Sequence, residues 1–551
     1  MGTKYDNIIV GSGPSGCAVA SGLTRDHPIL RVLVLEAGDN YNDKNLRIDG
    51  KRWLTHQEKD MNWRYKTVPQ EHCGNREIDY SRGCAVGGSS AINFSIYSVG
   101  ARDDYDEWAR ILGDDAFKWD NMKVRFKELE TYHRGIPAGV DRKYAAPSPR
   151  DHGASGPLHV GYAAEWERDL VPMLDIFEQA GFPLNPDHNS GNPIGMSVSI
   201  NSANKGLRST AKDLLDPKSK GLTVIFNSPV QRIIIEGKKA VGVEANGIQY
   251  RASREVIICA GALDTPRILI HSGIGPKEQL EKFHIPVVKH LPGVGQGLRD
   301  HYFVPLANIV AATNNDRRAF YSSDQAMEEA LEQWKHDSTG PWSKFACELG
   351  ICWFKLEGLS KTKEFQDLPA KEREYLQKQT VPHYEIVSHF PLHWFMPEFP
   401  HDAFEYSSLV VFLYNAQSRG ERVTIEALRD ALRIANHSAY IKDKIADLTA
   451  PKSGSDADLL EYWKQNMSSS WHMTGTAKMG SPLDEDAVVD RNFCVNRIKS
   501  LRVADMSVVP LLVSGHTQAA AYVTGATCAE MLIRDRHFYE TYNTHFASWI
   551  V

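Results

Sequence analysis

The sequence predicts an α/β fold, because segments of strand length and helix length alternate from its first residues. Tyr5–Val10 is a short apolar run typical of a buried strand, residues 11–16 read GSGPSG, and Cys17–Arg25 has the length of a helix. A second apolar run follows at Arg31–Leu35. This order indicates a Rossmann-like βαβ unit with a parallel sheet at its centre.

The glycine-rich turn predicts a dinucleotide site. Gly11 permits a tight turn, Gly13 lets a pyrophosphate approach the backbone, and Gly16 lets helix and strand pack closely. Phosphates would lie at the helix N-terminus, where free N–H groups and the helix dipole favour anions. Glu36 follows Gly16 by twenty positions, so its carboxylate can accept hydrogen bonds from both ribose hydroxyls and would repel a 2′-phosphate. These residues alone do not distinguish NAD from FAD.

Two further segments point to a flavin. Residues 81–108 read SRGCAVGGSSAINFSIYSVGARDDYDEW, and residues 261–275 read GALDTPRILIHSGIG. Gly87, Gly88 and the hydroxyls of Ser89 and Ser90 form a loop that can press its backbone against a flat ring or a phosphate, although such a loop can also be an ordinary turn. Together the segments resemble the two signature motifs of the glucose-methanol-choline (GMC) oxidoreductases, flavoenzymes that oxidise alcohols with FAD.

The resemblance extends along the whole chain. It continues in NWRYKTVPQ at 62–70, LPGVGQGLRDH at 291–301 and VVDRNFCVNRIKSLRVADMSVVP at 488–510. It implies the GMC fold, in which a Rossmann-like FAD-binding domain is interleaved with a substrate domain containing an antiparallel sheet. We therefore expect the FAD-binding domain at 1–155, 200–300 and 465–551, and the substrate-binding domain at 156–199 and 301–464. Aromatic and β-branched residues predict strands at His383–Phe390 and Ser408–Tyr414.

The resemblance also implies which residues contact FAD. It places Glu36 on the adenine ribose, the backbone of Val230 on the adenine, and Asp505 near the ribityl chain. Some family members bind FAD covalently through a histidine two residues before the arginine of the first motif; Tyr80 stands there, so we expect noncovalent FAD. The expected FAD contacts are Gly11, Gly13, Pro14, Ser15, Gly16, Glu36, Ala37, Trp63, Arg82, Val86, Gly87, Gly88, Ser90, Asn93, Phe94, Val230, Ala260, Asp505, Thr517, Gln518 and Ala519.

Two histidines are the candidate catalytic residues. His472 lies in SWHMTGTAKMG at 470–480 and His516 in SGHTQAAAY at 514–522; taken singly, each is compatible with a buried structural histidine. The resemblance aligns His472 with the family's active-site histidine and His516 with its partner, which is His or Asn. An imidazole with a pKa near 6.5 is suited to accept a hydroxyl proton at neutral pH. We expect His472 to be the base and His516 to orient the alcohol, although the sequence does not fix which ring holds the proton.

The neighbours of these histidines suggest further roles. Gln518–Ile533 has the length of a helix whose N-terminus, by resemblance, faces the flavin pyrimidine and favours the negative charge of the reduced ring. It is equally compatible with an ordinary core helix. Trp471 and Phe94 are expected to wall a substrate pocket, which would suit an apolar or aromatic alcohol, although aromatic residues often serve only packing.

Composition limits the partners. The 551 residues carry a net charge of −6 with no basic stripe, which disfavours nucleic acid and anionic membranes as partners. No signal-peptide pattern opens the given chain, so we expect a cytoplasmic or other intracellular location. Eight cysteines in this length do not form a disulfide framework, and no metal site is expected. The expected partners are a small-molecule alcohol and O₂ or another electron acceptor; the oligomeric state is not predicted.

Four functions stay open at this point. The chain could be an alcohol oxidase that uses O₂, a dehydrogenase that uses a quinone or another acceptor, a hydroxynitrile-type lyase that retains FAD structurally, or a flavoprotein kept as a binding module. The intact histidine pair argues against the last of these. Two departures from the family concern the pocket: the segment 429–465 is short and unlike the family pattern, and Gly297 replaces the usual Asn.

Overall fold

The structure, a computed structural model, describes residues 4–26, 29–311, 317–321, 323–391, 405–414, 421–481 and 483–547. Its strands are β1 (Lys4–Val10), β2 (Val32–Leu35), β3 (Glu130–His133), β4 (Leu158–Gly161), β5 (Gly195–Val198), β6 (Ala203–Asn204), β7 (Leu207–Arg208), β8 (Leu222–Ile225), β9 (Val230–Glu236), β10 (Lys239–Ala245), β11 (Ile248–Ile258), β12 (Ile274–Gly275), β13 (Lys289–His290), β14 (Tyr302–Val310), β15 (Gly350–Phe354), β16 (Tyr384–Ser388), β17 (Glu405–Leu413), β18 (Lys444–Thr449), β19 (Ser468–Ser469) and β20 (Leu501–Val503).

The α-helices are α1 (Pro14–Asp26), α2 (Arg52–Thr55), α3 (Arg102–Leu112), α4 (Trp119–Leu129), α5 (Leu170–Gln179), α6 (Gly261–His271), α7 (Lys277–Lys282), α8 (Arg317–Tyr321), α9 (Asp324–Asp337), α10 (Lys363–Gln366), α11 (Ala370–Gln377), α12 (Glu421–Ala435), α13 (Ser438–Ile441), α14 (Asp456–Asn466) and α15 (Gln518–Ala547). Short 3₁₀ turns connect several of them, including Gly88–Ala91 and Met506–Val508. Among the helices described, none is both long and apolar enough to span a membrane.

The larger sheet contains the predicted βαβ unit. Its strands lie in the order β8-β2-β1-β11-β10-β9, and β20 pairs with β11. The pairs β8–β2, β2–β1, β1–β11 and β11–β20 are parallel, whereas β9, β10 and β11 pair antiparallel. Ile8, Ile9, Leu33 and Val34 in β1 and β2 are fully buried, as expected for parallel strands covered on both faces. The Rossmann-like unit is thus confirmed.

The second sheet is antiparallel. Its strands lie in the order β15-β16-β17-β14-β18, and β19 pairs with β14. β16 and β17 overlap the strands predicted at 383–390 and 408–414. The mixed architecture confirms the predicted fold class. The exact domain boundaries stay a prediction, although β14 to β18 all fall between residues 301 and 464.

The unusual segment 429–465 is ordered in the structure. It completes α12 and then forms α13, β18 and α14. β18 pairs with β14 and so becomes an outer strand of the antiparallel sheet. The segment therefore extends the sheet. Gly297 is the other position that departs from the family pattern. It has a φ of 72°, a left-handed conformation that glycine adopts freely and asparagine tolerates.

Helices α1 and α15 cross at very short range. A Cβ added to Gly22 would lie 2.7 Å from the Cβ of Ala529, and one added to Gly525 would lie 2.2 Å from the carbonyl oxygen of Ser15. The Ser15 hydroxyl donates to the carbonyl of Ala521 at 2.7 Å. Glycine on each helix thus allows the first turns of both helices to lie side by side, and both turns reach the same cavity.

Candidate active site

A cavity lies between the carboxyl ends of the central parallel strands and the inner face of the antiparallel sheet. Val10 and Leu35, which end β1 and β2, line one part of it, and Phe303 of β14 and Phe412 of β17 line another. The cavity contains about 1720 Å³ of space not occupied by protein atoms, its open mouth included. Ligands of open α/β sheets bind at this edge of the strands.

Two glycine loops form the floor of the cavity. Gly11 has a φ of 95°, and a Cβ there would lie 2.6 Å from the carbonyl oxygen of Cys259. Gly88 has a φ of 51°, and its Cβ would lie 2.6 Å from the Cα of Gly13. Gly16 has no room for a side chain, because a Cβ would lie 2.0 Å from the carbonyl oxygen of Gly11. The loops therefore present backbone to the cavity, as close approach by a phosphate or a ring requires.

Three helix N-termini converge on this floor. The first residues of α1, α6 and α15, namely Pro14, Gly261 and Gln518, all line the cavity. The first N–H groups of a helix lack partners within the helix, and the dipole makes this end positive. The cavity is therefore suited to a ligand that is anionic at more than one place, and a flavin dinucleotide meets that requirement through its pyrophosphate and its electron-accepting ring.

Two buried carboxylates line the cavity. Glu36 accepts from the N–H of Ser12 at 2.8 Å, from its hydroxyl at 2.6 Å and from the N–H of Gly38 at 3.0 Å. Asp505 accepts hydrogen bonds from the N–H of Gly261 at 2.8 Å and the hydroxyl of Thr265 at 2.6 Å. It also accepts one from the N–H of Ser507 at 2.8 Å. Each carboxylate uses three of its roughly four acceptor positions, which leaves capacity for a ligand hydroxyl. Burial raises the pKa of both acids, and these hydrogen bonds oppose the rise.

A buried arginine fixes the loop beside α15. Arg208 is 1 % exposed, and its guanidinium donates to the carbonyl oxygens of Ser90 at 3.0 Å and Asn93 at 2.8 Å. The Asn93 amide in turn donates to the side-chain oxygen of Gln518 at 2.7 Å. The predicted flavin contacts Ser90, Asn93 and Gln518 therefore belong to one hydrogen-bonded unit.

The two candidate histidines meet at the antiparallel sheet. The rings of His472 and His516 have centroids 5.2 Å apart and are nearly perpendicular, at 88°. Each residue is 9 % exposed and lines the cavity. His516 Nε2 lies 3.2 Å from a carboxylate oxygen of Glu385, and His472 Nδ1 lies 3.0 Å from Nδ1 of His301. Each ring thus uses one nitrogen for a protein partner.

The surroundings of His472 hold it neutral. Burial lowers the pKa of His472 well below its ordinary value, and the nearby His516, His301 and Arg82 act in the same direction. Its backbone N–H donates to Asp300 at 2.8 Å. A neutral imidazole retains a lone pair and can accept a proton.

Trp471 has a strained backbone next to this histidine. Its φ is 58°, which is uncommon for a bulky residue. Arg82 donates to its carbonyl oxygen at 2.5 Å, and its indole N–H donates to Asp79 at 2.7 Å. These bonds hold a conformation that costs free energy, as is frequent beside active sites.

Aromatic rings surround the space beside the histidine pair. Phe94 lies against Trp471, with ring centroids 5.5 Å apart, and stacks on Trp53 at 4.5 Å. Phe390 lies edge-on to Trp53 at 4.8 Å. The rings that line the cavity here are those of His56, Phe94, Phe303, Phe390, Phe412 and Trp471. This end of the cavity is therefore mainly apolar.

Most of the residues predicted from the sequence lie on the cavity wall. Those on the wall are Gly11, Gly13, Pro14, Ser15, Glu36, Ala37, Trp63, Arg82, Gly88, Ser90, Asn93, Phe94, Val230, Ala260, Trp471, His472, Asp505, His516, Thr517 and Gln518. Gly16, Val86, Gly87 and Ala519 do not line it. Val86 and Gly87 instead donate backbone N–H groups to Asp39 and Ser12, and so shape the second glycine loop.

Sequence reasoning missed the partners of the histidines. Asp300 and His301 end the motif LPGVGQGLRDH, which signalled the family but not these contacts. Glu385 lies in a predicted strand and had no signal of its own. Phe303, Phe390 and Phe412 also reach the cavity from strands or their ends.

Comparison with known proteins gives a consistent result. Family models for the N-terminal and C-terminal parts of GMC oxidoreductases match residues 5–303 and 407–525. The chain is 30% identical to oxygen-dependent choline dehydrogenase 1 of Chromohalobacter salexigens, over 96% of this chain and 94% of that protein. It is 28% identical to the dehydrogenase pkfF of Emericella nidulans, over 96% of this chain and 93% of that protein.

Solved structures show the same fold. A formate oxidase of Aspergillus oryzae matches with a TM-score of 0.85 at 23% identity, covering 97% of this chain and 99% of that one. A fungal aryl-alcohol oxidase matches with a TM-score of 0.83 at 25% identity, covering 98% of this chain and 100% of that one.

The contact between the glycine loops can be tested through FAD content. Gly88→Ala should purify with less FAD, because its Cβ would push the second loop away from Gly13 and the left-handed backbone would be strained. A strain of about 1–3 kcal/mol corresponds to roughly five- to 150-fold weaker binding. Gly454→Ala is the matched control, since no atom of the residues that the structure describes lies within 4 Å of its added Cβ. Equal FAD content in the two variants would contradict the role of this contact.

Proposed function

The chain belongs to the GMC oxidoreductase family, whose members bind FAD and act on CH–OH donors, and from this premise we propose that it oxidises a primary alcohol to an aldehyde. The observation that carries the proposal is the perpendicular pair of His472 and His516 at the apolar end of the cavity. Each ring has one nitrogen engaged by the protein, so the remaining nitrogen of each is available to a hydroxyl group.

In the proposed reaction His472 accepts the hydroxyl proton at Nε2. Its lowered pKa keeps the ring neutral at physiological pH, so its lone pair is available before the alcohol binds. His516 shares the hydrogen bond of the hydroxyl and orients it, while Glu385 holds the His516 ring. FAD, when bound, supplies the hydride acceptor. The glycine loops, Glu36, Asp505 and the N-termini of α1 and α15 would hold it, and we propose that it is held noncovalently.

The position of Tyr80 supports noncovalent binding. Tyr80 stands where some family members carry the histidine that links to FAD. Its side chain packs with Cys73, Ile78, Ala262 and Met473 in a buried apolar cluster. Its neighbours Ser81 and Arg82 line the cavity.

The proposed substrate is an apolar or aromatic primary alcohol. The space beside the histidines is walled by Phe94, Phe303, Phe412 and Trp471, and aromatic rings pack favourably against one another when offset or edge-on. The similarity to a fungal aryl-alcohol oxidase over 98% of this chain supports the same class. We propose O₂ as the electron acceptor. The relative named as the dehydrogenase pkfF makes a quinone or another acceptor the alternative, and a lyase that retains FAD is a further alternative.

Anaerobic titration with alcohols tests the reaction and its acceptor. A benzylic alcohol should bleach the visible flavin bands of the purified protein without oxygen, because hydride transfer reduces the flavin. Readmitted air should restore the bands rapidly with formation of H₂O₂. Choline and short aliphatic alcohols, tested in parallel, compare substrate classes. Slow return of the bands would indicate a dehydrogenase. A protein that no alcohol of the panel bleaches would contradict the proposed oxidation and favour the lyase.

Substitution of the base tests the assignment of His472. His472→Ala should keep its fold and its FAD. The alcohol should reduce its flavin at least about a hundredfold more slowly than that of the wild-type protein, which is the usual contribution of a general base. His383→Ala is a suitable control, because His383 is buried and, among the residues described, its ring bonds only to the backbone of Leu376 and Leu356. Stopped-flow absorbance measures both variants. An unchanged rate in His472→Ala would remove the base assignment.

The pH dependence of flavin reduction tests the protonation states. Since the pKa of His472 is lowered, the ring is neutral at and above about pH 6.5, and the rate should not vary there. Burial raises the pKa of Asp300 to about 6. Below that pH its carboxylate gains a proton and holds the His472 backbone less firmly, so the rate should fall. Circular dichroism at each pH controls for unfolding. An inflection above pH 7 would show that the base has a raised pKa.

A further inference from the structure

His301 lies directly behind the proposed base. Its Nδ1 is 3.0 Å from Nδ1 of His472, and the two rings are perpendicular, at 89°. We propose that His301 is a positioning residue that accepts a hydrogen bond from His472 Nδ1–H and so directs the lone pair of His472 Nε2 towards the alcohol. This inference rests on the proposed function of His472, because it specifies how the protein prepares that base.

The contact allows only two proton arrangements. Burial lowers the pKa of both histidines well below the ordinary value, so both rings are neutral and each carries one N–H and one lone pair. If His301 donates, Nε2 of His472 carries the proton and cannot act as a base. If His472 donates, its Nε2 carries the lone pair. Only the second arrangement is compatible with proton abstraction.

Backbone hydrogen bonds bring His301 and His472 together. Residues 299–301 and 470–474 lie side by side: Arg299 and Thr474 exchange N–H···O bonds of 3.1 and 2.9 Å, and the N–H of Ser470 donates to the carbonyl of His301 at 2.9 Å. The N–H of His472 also donates to Asp300 at 2.8 Å. The two histidines are thus brought together by paired segments of chain.

His301 differs from His383, a buried structural histidine of this protein. His383 engages both ring nitrogens, with the N–H of Leu356 at 2.9 Å and the carbonyl of Leu376 at 3.1 Å. His301 is fully buried, yet in the part of the chain that the structure describes its Nε2 has no hydrogen-bond partner. Its ring instead lies 4.2 Å from that of Tyr414. Burying an unsatisfied nitrogen is unfavourable, so the residue is poorly explained by stability alone.

The contact gains strength during the reaction. When the O–H bond of the alcohol breaks, the proton forms a new bond at Nε2 of His472, and Nδ1 keeps its own proton. His472 is then an imidazolium, and its bond to the lone pair of His301 becomes a charge-assisted hydrogen bond, which is stronger than a neutral one. His301 therefore stabilises a charge that exists only after proton transfer, as a positioning group in a catalytic triad does.

Neutron diffraction tests the hydrogen-bond direction independently of turnover. In crystals of the FAD-loaded protein exchanged into D₂O, deuterium is expected on Nδ1 of His472 and on Nε2 of His301. Deuterium on Nε2 of His472 together with Nδ1 of His301 would overturn the inference. This measurement needs no substrate, so its outcome is separate from whether any alcohol reduces the flavin.

Paired variants test the effect on catalysis. His301→Leu, which has no acceptor, should slow flavin reduction at saturating alcohol by about tenfold or more, with little change in alcohol affinity. His301→Asn should recover part of the rate, because its amide oxygen can accept the bond from Nδ1. His383→Leu controls for loss of a buried imidazole, and FAD content and near-ultraviolet circular dichroism report the fold.

The outcomes separate positioning from packing. Equal slowing in His301→Leu and His301→Asn would assign His301 to packing, and an unchanged rate in His301→Leu would remove its role altogether. If neither variant folds, the neutron result decides. If no alcohol reduces the wild-type protein, the proposed function fails, and the neutron result still establishes which histidine donates.

Discussion

The close crossing of α1 and α15 is the constraint on which the cavity depends. Gly22 and Gly525 leave no room for a side chain at the crossing, where added Cβ atoms would meet Ala529 and the backbone of Ser15. Because the helices pack side by side from their first turns onward, their positive N-terminal ends reach the same cavity. The cavity floor is therefore a consequence of helix packing as much as of the glycine turn. A larger residue at either glycine would move the N-termini of α1 and α15 apart and weaken the positive potential that they produce together in the cavity.

The second constraint is the contact between the start of β14 and the segment that follows β19. β14 begins immediately after Asp300 and His301, and it pairs with β19, which is followed by Trp471 and His472. The segment that carries His472 therefore leaves the antiparallel sheet beside the start of β14. Asp300 accepts bonds from the His472 backbone and the Ser469 hydroxyl, at 2.8 and 2.5 Å, and ties the two segments together. Phe303 of β14 and His472, which follows β19, thus reach the cavity from paired segments of the same sheet.

The features that could be predicted from the sequence are those that require particular residues at a fixed spacing along the chain. The turn at 11–16 and Glu36 were predictable because a tight turn, a close phosphate and a ribose contact require particular residues at fixed spacing. The partners of the histidines were not predictable in this way, because His301 and His472 are 171 positions apart and Glu385 and His516 are 131 apart. Nothing in the local sequence of Glu385 distinguishes it from other residues of a strand. The strand in the segment 429–465 was also not predictable from its residues, since β18 is defined by pairing with β14 more than by its half-exposed composition.

The pKa values of His472 and His301 follow from the burial of the two rings. A charged imidazole in this position would lose its hydration, which is why burial lowers the pKa of His472 and of His301. A carboxylate as the immediate partner of His472 would raise its pKa and trap it in the protonated form before the alcohol arrived. A neutral histidine avoids this trap, yet it can still receive a stronger hydrogen bond once the proton has moved. Glu385, the carboxylate partner, contacts His516 instead. The two histidines therefore differ in their partners in a way that fits their proposed roles: the proposed base lies against a neutral histidine, and the residue proposed to orient the alcohol lies against the carboxyl group of Glu385.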